Sequence, residues 1–494
     1  MEFVVPLDDQ ELLGTEFIKE EVDVETVAAR LKELSDSCQQ SRHGIDPADL
    51  VGNLDLFHSC VCQWAEVDSP VKMEAWSLLR KCLDAQYLSL VDYLSEACRP
   101  QSAVDGGDDN ERLKYQNEFC VNVYALCRFF ELMQADVTRD NKSELGAAKG
   151  RGGGKKAAAR KTSSRLNIDW TRHRMEFLLL LGKFVNISAS IAPVEGGASS
   201  ANALRHLWKA GQVPESFANL VTNALLKTLE DSDLSKAAGR PILAKMAEVL
   251  GVAVRDFCNA RSVSVRLGCF LREYHYEQMG EVLGELVSHL CQSVPSGGVL
   301  DLMSCCLREV GAMEQSDFAG EGCAKATQSF LVAVARHCPA QLYPCLSHVV
   351  PHLDGESSTI RIGILTVFFE LASTFLGEDN CSDDQKRNRF NYLTKIKEHM
   401  FDTNAHVRAK CVSLFQGLVD RKKLPLHFLR DGSLVDCVAG RLNDKSSIVR
   451  QRAFQLLTTL LKNNPYKFKL NEAELQQELQ RYEAERTKLQ MEHP

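Results

Sequence analysis

Three stretches decide the fold: LDGESSTIRIGILTVFFELA (353–372), FDTNAHVRAKCVSLFQGLVD (401–420) and LNDKSSIVRQRAFQLLTTLL (442–461). Each has an aspartate near its start, then a β-branched residue followed by arginine, then a run with helical spacing. The arginines, Arg361, Arg408 and Arg450, are 47 and 42 residues apart. Four and eight residues beyond Ile360 stand Ile364 and Phe368; beyond Val407, Cys411 and Phe415; beyond Val449, Ala453 and Leu457. Residues four apart share one face of an α-helix, so each stretch predicts the same buried stripe. A period of roughly 40–47 residues is that of HEAT helix pairs. One such pair cannot bury both of its faces, so its neighbours must stack on it.

The polar residues of the pattern fit that stacking. Asp402 and Asp444 lie five residues before their valine, and Asp354 lies six before its isoleucine. Each aspartate is expected to cap the second helix of its own repeat. Each arginine is expected to reach the aspartate of the adjacent repeat. Asp354, Arg361, Asp402, Arg408, Asp444 and Arg450 thus form an expected structural ladder. A weaker copy stands at DSPVKMEAWSLL (68–79), with Val71, Lys72, Ala75 and Leu79.

Outward from these repeats the chain reads as helix nearly throughout, with apolar residues recurring at three and four. The predicted fold is all-α: an N-terminal helical domain (1–140), a disordered basic linker (141–165), a HEAT-type α-solenoid (166–470) and a charged C-terminal helix (471–494). At 40–47 residues per repeat the solenoid holds about six or seven repeats. QSAVDGGDDNE (101–111) and EDNCSDDQKRN (378–388) read as polar loops, and the last helix has a thin stripe of Leu475, Leu479 and Tyr482.

Composition narrows the class. A chain of 494 residues with 45% apolar and 25% charged residues is folded and too long for one ordinary core. With a net charge of −8, any nucleic-acid contact must be a local patch. Of the 18 cysteines, Cys120, Cys127, Cys411 and Cys437 sit inside amphipathic helical runs, where a thiol acts as a small apolar side chain. Met1 is followed by an acidic stretch, so no secretory signal is expected, and the cysteines read as reduced. The richest apolar run is read as FLLLLGKFV (177–185), too short to span a bilayer.

Catalytic signatures are sparse. GGGKKA (152–157) lacks the Ser or Thr that follows Gly-Lys in a P-loop. Cys60 and Cys62, or Cys305 and Cys306, have no second pair at zinc spacing. His348 and His352 are expected as helix-surface histidines. No metal, cofactor or catalytic residue is assigned, and the chain is not expected to be an enzyme. The basic segment carries Lys149, Arg151, Lys155, Lys156, Arg160, Lys161 and Arg165 within 17 residues. Three readings stand: weak, sequence-independent DNA contact, nuclear targeting, or a solvated linker. Phosphorylation of Thr162, Ser163 or Ser164 would cancel part of its charge.

Several segments resemble a known family. EFVVPLDDQELL (2–13), NVYALCRFFELM (122–133), LNIDWTRHRMEFLLLLGKF (166–184), VTNALLKTLED (221–231), GRPILAKMAEVLGVAV (239–254), HVVPHLDGESSTIR (348–361) and RLNDKSSIVRQRAFQLLTTLLKNNPYKFKL (441–470) are similar, in order, to the N-terminal part of condensin complex subunit 1. This is the HEAT-repeat, non-SMC subunit family of condensin I. The resemblance implies a non-catalytic scaffold within a hetero-oligomeric complex. Its implied partners are the kleisin subunit, the SMC ATPase heads and DNA or chromatin, with no membrane. Its implied setting is mitotic chromosome condensation, in nucleus, chromosomes and cytoplasm. The residue pattern alone leaves open a HEAT adaptor of another class, such as a nuclear transport or trafficking scaffold.

Overall fold

A computed structural model describes residues 3–6, 18, 21–40, 48–98, 109–149, 170–191, 203–209, 211–230, 234, 236, 239–257, 260–273, 277–293, 296–377, 381–425, 427–430, 433–463, 476–477, 479–484 and 486. Among them no β-strand occurs, and contacts divide the chain into two compact units, 1–349 and 350–494. The all-α solenoid class is what the structure shows. The division differs from the expected boundaries at 140 and 166.

In the first unit, helices of eight residues or more are α1 (Val24–Gln40), α2 (Leu54–Cys62), α3 (Ser69–Ala97), α4 (Asp109–Lys149), α5 (Trp170–Val185), α6 (Glu215–Lys227), α7 (Arg240–Asp256), α8 (Ala260–Glu273), α9 (Glu277–Ser293), α10 (Ser296–Gly311) and α11 (Glu321–His337). Helices α3, α5, α7, α9 and α11 pack in succession as one row, and α4, α6, α8 and α10 as a second. That is two-layer repeat stacking, and it begins at Ser69 rather than at 166.

The basic segment looks like a boundary in sequence, yet the helices on either side of it pack together. Phe130 of α4 lies parallel to Phe177 of α5, with centroids 3.8 Å apart, and stacks on Trp170 at 5.4 Å. Arg80 of α3 donates to Glu176 of α5 at 2.8 Å. Helix α4 also runs on to Lys149, so 141–149 is helical rather than linker. The weaker repeat copy falls on the first turns of α3, where Pro70 suits a helix start. Its Lys72 is buried over the Trp64 ring and donates to Asp136 at 3.1 Å.

In the second unit the helices of eight residues or more among the described residues are α12 (Ser358–Ser373), α13 (Asp383–Glu398), α14 (Ala405–Asp420), α15 (Ser433–Gly440) and α16 (Ser447–Lys462). Helices α12, α14 and α16 form the row; α13 packs on α12 and α14, and α15 packs on α16. The predicted stripe Ile360, Ile364 and Phe368 is buried, as are Val407, Cys411 and Phe415.

The third copy departs by one residue. Val449 and Ala453 are buried, but Leu456 takes the place expected for Leu457, which is only half-buried. Positions seven of the other copies, Val367 and Leu414, are buried together with Phe368 and Phe415 at position eight, whereas here only position seven is fully buried. Leu456→Ala should therefore cost about 2–5 kcal/mol, and Leu457→Ala less than about 1 kcal/mol. Urea titration of both variants checks the register; equal losses would overturn it.

Other expectations are corrected. The charged stretch 378–388 is not all loop, because α13 begins at Asp383. Ser382 accepts from the Gln385 N–H while the Gln385 side chain accepts from the Ser382 N–H, a reciprocal capping box. The richest apolar helix is Ser358–Gly377 rather than 177–185. This run, α12 with the turn after it, is long and apolar enough to cross a membrane, with a mean hydropathy of 1.6, yet 83% of its most apolar 18 residues are buried within the protein. His352 is buried rather than on a helix surface, while half-buried His348 faces the Ser304 hydroxyl at 3.5 Å. Of the C-terminal stripe, Leu479 and Tyr482 are exposed and Leu475 lies outside the described residues.

Candidate functional site

The arginine–aspartate ladder is the most organised polar constellation of the second unit. Arg361 donates through Nε and Nη2 to both oxygens of Asp402, each at 3.0 Å. Arg408 repeats the pattern on Asp444, at 2.9 and 2.7 Å. The remaining nitrogen, Nη1, turns back to carbonyls of the loop before its own helix. For Arg361 these belong to Gly355 and Glu356, for Arg408 to Asp402 and Thr403, and for Arg450 to Asp444 and Lys445. A planar guanidinium can do both at once because its donors form a rigid fork.

This geometry corrects three details. The carbonyls lie six and five residues before each arginine, so the position matching Asp402 and Asp444 is Gly355. Asp354 is one residue out of register and exposed, and it forms no rung. Arg450 meets no aspartate side chain among the described residues and bonds the two loop carbonyls. Nor do the aspartates stand at the N-cap. Those positions are Ser357, Asn404 and Ser446. Asp402 and Asp444 instead accept the backbone N–H of Asn404 at 2.7 Å and of Ser446 at 2.9 Å.

Both rungs are largely buried, with side-chain exposures of 10% and 7% in the first and 13% and 4% in the second. The hydrogen bonds from Arg408 hold the Asp444 carboxyl below its ordinary value, helped by the Ser446 N–H against the cost of burial. Reciprocally, Asp444 raises Arg408.

A second inter-repeat link was not anticipated. Arg421, just past α14, donates to buried Glu370 of α12 at 2.9 Å and to the Ser373 hydroxyl at 2.8 Å. Its guanidinium lies 4.6 Å from the Phe369 ring centre. Helices α12 and α14 are thus tied at both ends. The signal was Glu370 itself, a carboxylate inside an apolar helix that needs a partner to stay charged. Beside the first rung opens a cleft lined by Asp354, Arg361, Glu398, Phe401 and Asp402. Phe401 is 59% exposed and carries the Arg441 guanidinium over its ring.

Burial pushes the thiols of Cys60 and Cys306 up to about 12, which suits inert core cysteines. Cys120, Cys127 and Cys411 are buried, and Cys437 is half-buried. Among the described residues no group of three or more His, Cys, Asp or Glu converges as a metal site. Of the basic segment, Lys149 ends α4. Arg151, Lys155, Lys156, Arg160, Lys161 and Arg165, with Thr162, Ser163 and Ser164, lie outside the described residues.

Stacked helix pairs joined by buried ion-pair rungs define a HEAT-type repeat protein. Comparison with known proteins carries this further. The chain is similar to mouse condensin complex subunit 1, with 27% identity over 486 residues and 97% of this chain. The human and Xenopus laevis proteins of that name match at 27% and 26% identity, also over 97% of this chain. The chain spans about a third of the length of these relatives, 32–33%. No protein-family model matches. A designed armadillo repeat protein superposes with a TM-score of only 0.29 at 15% identity, over 50% of this chain and 94% of its own.

Proposed function

We propose that this chain is a non-catalytic scaffold segment of a condensin I subunit, acting in mitotic chromosome condensation. It binds the kleisin subunit and the SMC ATPase heads and helps to hold DNA, in nucleus, chromosomes and cytoplasm. The observation that carries this reading is the similarity to condensin complex subunit 1 along 97% of the chain. The stacked rows support it, because repeat layers present a continuous surface on which an extended peptide can lie. Co-expression with a kleisin fragment, followed by size exclusion, tests the first partner. Co-elution is expected. Separate elution of a chain that circular dichroism shows to be helical would sink kleisin binding by this region.

The basic segment supplies the DNA contact, as a cluster of cations that neutralises phosphates without reading bases. Replacing Lys155, Lys156, Arg160 and Lys161 with alanine should weaken binding to duplex DNA and flatten its salt dependence. Removing four phosphate contacts lowers the slope of log K against log salt by about 3–4. An unchanged titration removes the segment from DNA binding and leaves the targeting or linker readings.

A further inference from the structure

Helix α16 is the last of the row α12, α14 and α16 among the described residues, and its outer face departs from theirs. Four, seven and eleven residues past its rung arginine, α12 places Leu365, Phe368 and Ala372, and all three are buried. The same positions on α14 are Val412, Phe415 and Val419, again buried. Each of these two helices has a further helix of the row packed on it. On α16 the positions are Phe454, Leu457 and Leu461. Here Phe454 is 67% exposed and Leu461 72% exposed, with half-buried Leu457 between them. The stripe begins at Arg450, which bonds two loop carbonyls and meets no carboxylate among the described residues. The repeat pattern thus gives α16 a complete docking face, apolar along its length and cationic at its N-terminal end, and leaves it open to water.

Sequence and charge single out one occupant. Rung aspartates follow their arginines by 41 and 36 residues, and that distance beyond Arg450 reaches RTKLQM (486–491), which holds no carboxylate. A rung of the usual kind is therefore not available from this stretch. Just before it stands a helical stretch, described at 476–477, 479–484 and 486, with Leu479 60% and Tyr482 46% exposed. A helix this short is marginal in water without a surface to pack on. Leu475, Leu479, Tyr482 and Glu485 advance by four, three and three residues, the steps of one helix face. Leu475 and Glu485 lie outside the described residues and join that face by spacing alone.

We propose that the segment 475–486 docks as a helix, antiparallel, on the outer face of α16. Leu475 then lies against Leu461, Leu479 beside Leu457, Tyr482 against Phe454, and Glu485 answers Arg450. A parallel placement would set the Glu485 carboxylate beside Leu461. The charges agree with the pairing. From 445 to 462 the charged residues are four cations, Lys445, Arg450, Arg452 and Lys462, whereas 472–485 holds five glutamates and one arginine. The twelve residues 463–474 extend to about 40 Å, ample for the roughly 8–10 Å between packed helix axes. Docking takes both apolar stripes out of water and gives the row the polar exterior that a soluble stack needs at its end.

The test is amide exchange in the full chain, with a synthetic peptide of residues 471–494 as the reference. Amides of 479–486 should exchange roughly tenfold more slowly in the chain than in the peptide. Phe454→Asp, at a side chain already exposed, should return them to the peptide rate while α12 and α14 keep their wild-type protection. Glu485→Arg should lose several-fold of the protection, and added salt should weaken it in the wild type. Exchange at the peptide rate in the wild type, or protection that Phe454→Asp leaves unchanged, would overturn the docking. Protection that grows with protein concentration would overturn it too, by assigning the face to a second copy. Protection indifferent to Glu485→Arg would overturn the antiparallel placement.

Discussion

Replacing Arg408 with alanine should destabilise the 350–494 unit by about 3–5 kcal/mol, the usual loss when one member of a buried ion pair is removed. The change strips Asp444 of the two bonds from Arg408, leaving the longer one from Arg441 at 3.3 Å to a carboxylate almost wholly out of water. It also frees the carbonyls of Asp402 and Thr403. The removed attraction is smaller than this figure, because much of the cost is a buried carboxylate left with only Arg441 and the Ser446 N–H as donors. Arg408→Ala combined with Asp444→Ala should therefore be less damaging than the single arginine change. The deficit should also depend on pH. Wild-type Asp444 has a lowered pKa, so its contribution is complete above the ordinary aspartate value of 3.8 and is lost as pH falls through the lowered one. In Arg408→Ala the chief cause of that lowering is gone, so acid neutralises the stranded group and the gap to wild type narrows below about pH 4. Amide exchange of α14 and α16 in the full chain, at neutral and acid pH, measures both effects. A neutral-pH loss under about 1 kcal/mol would show that the rung is decorative.

Phe130→Ala should cost the first unit about 3–5 kcal/mol. The ring is 1% exposed and sandwiched in the stack with Phe177 and Trp170. Its loss leaves a cavity bounded by two large planar groups that cannot collapse into it. The damage should spread to α5, whose amides should exchange faster together with those of α4. Leu88→Ala, at a side chain 69% exposed, serves as the control and should change stability by less than about 0.5 kcal/mol. Equal effects of the two changes would contradict the proposed continuity of packing across the basic segment.

These two sites differ in how visible they are in the sequence. The arginine–aspartate spacing named both members of the rungs Arg361–Asp402 and Arg408–Asp444, because a repeat writes the same contact several times. It misplaced Asp354, since one additional loop residue puts Gly355 at the rung position. It also chose Leu457 over Leu456, a one-residue error that rotates a side chain from core to margin. The first unit has no recurring charged pair to reveal its rows. Its contacts join single aromatics and glycines distant in sequence, such as Phe130 with Trp170, or Gly284 with Ala333. Composition made the basic segment look like a boundary, but composition reports solvation and says nothing of which helices pack beyond it. The capping box at Ser382 and Gln385 is legible in the sequence, but the charges around it resemble a loop. Charges in a first turn, such as Asp383 and Asp384, equally suit the positive end of a helix.

The rungs also have a direction. Arg361 and Arg408 each grip their own loop with one nitrogen and offer the other edge of the fork towards the C-terminal neighbour, whose aspartate receives it. A stack assembled from such joints is polarised like tongue-and-groove boards, with unlike edges at every seam. Turning one repeat end for end would set arginine against arginine or aspartate against aspartate. The ladder therefore acts as a grammar of order, disfavouring reversed neighbours through like-charge repulsion at the seam.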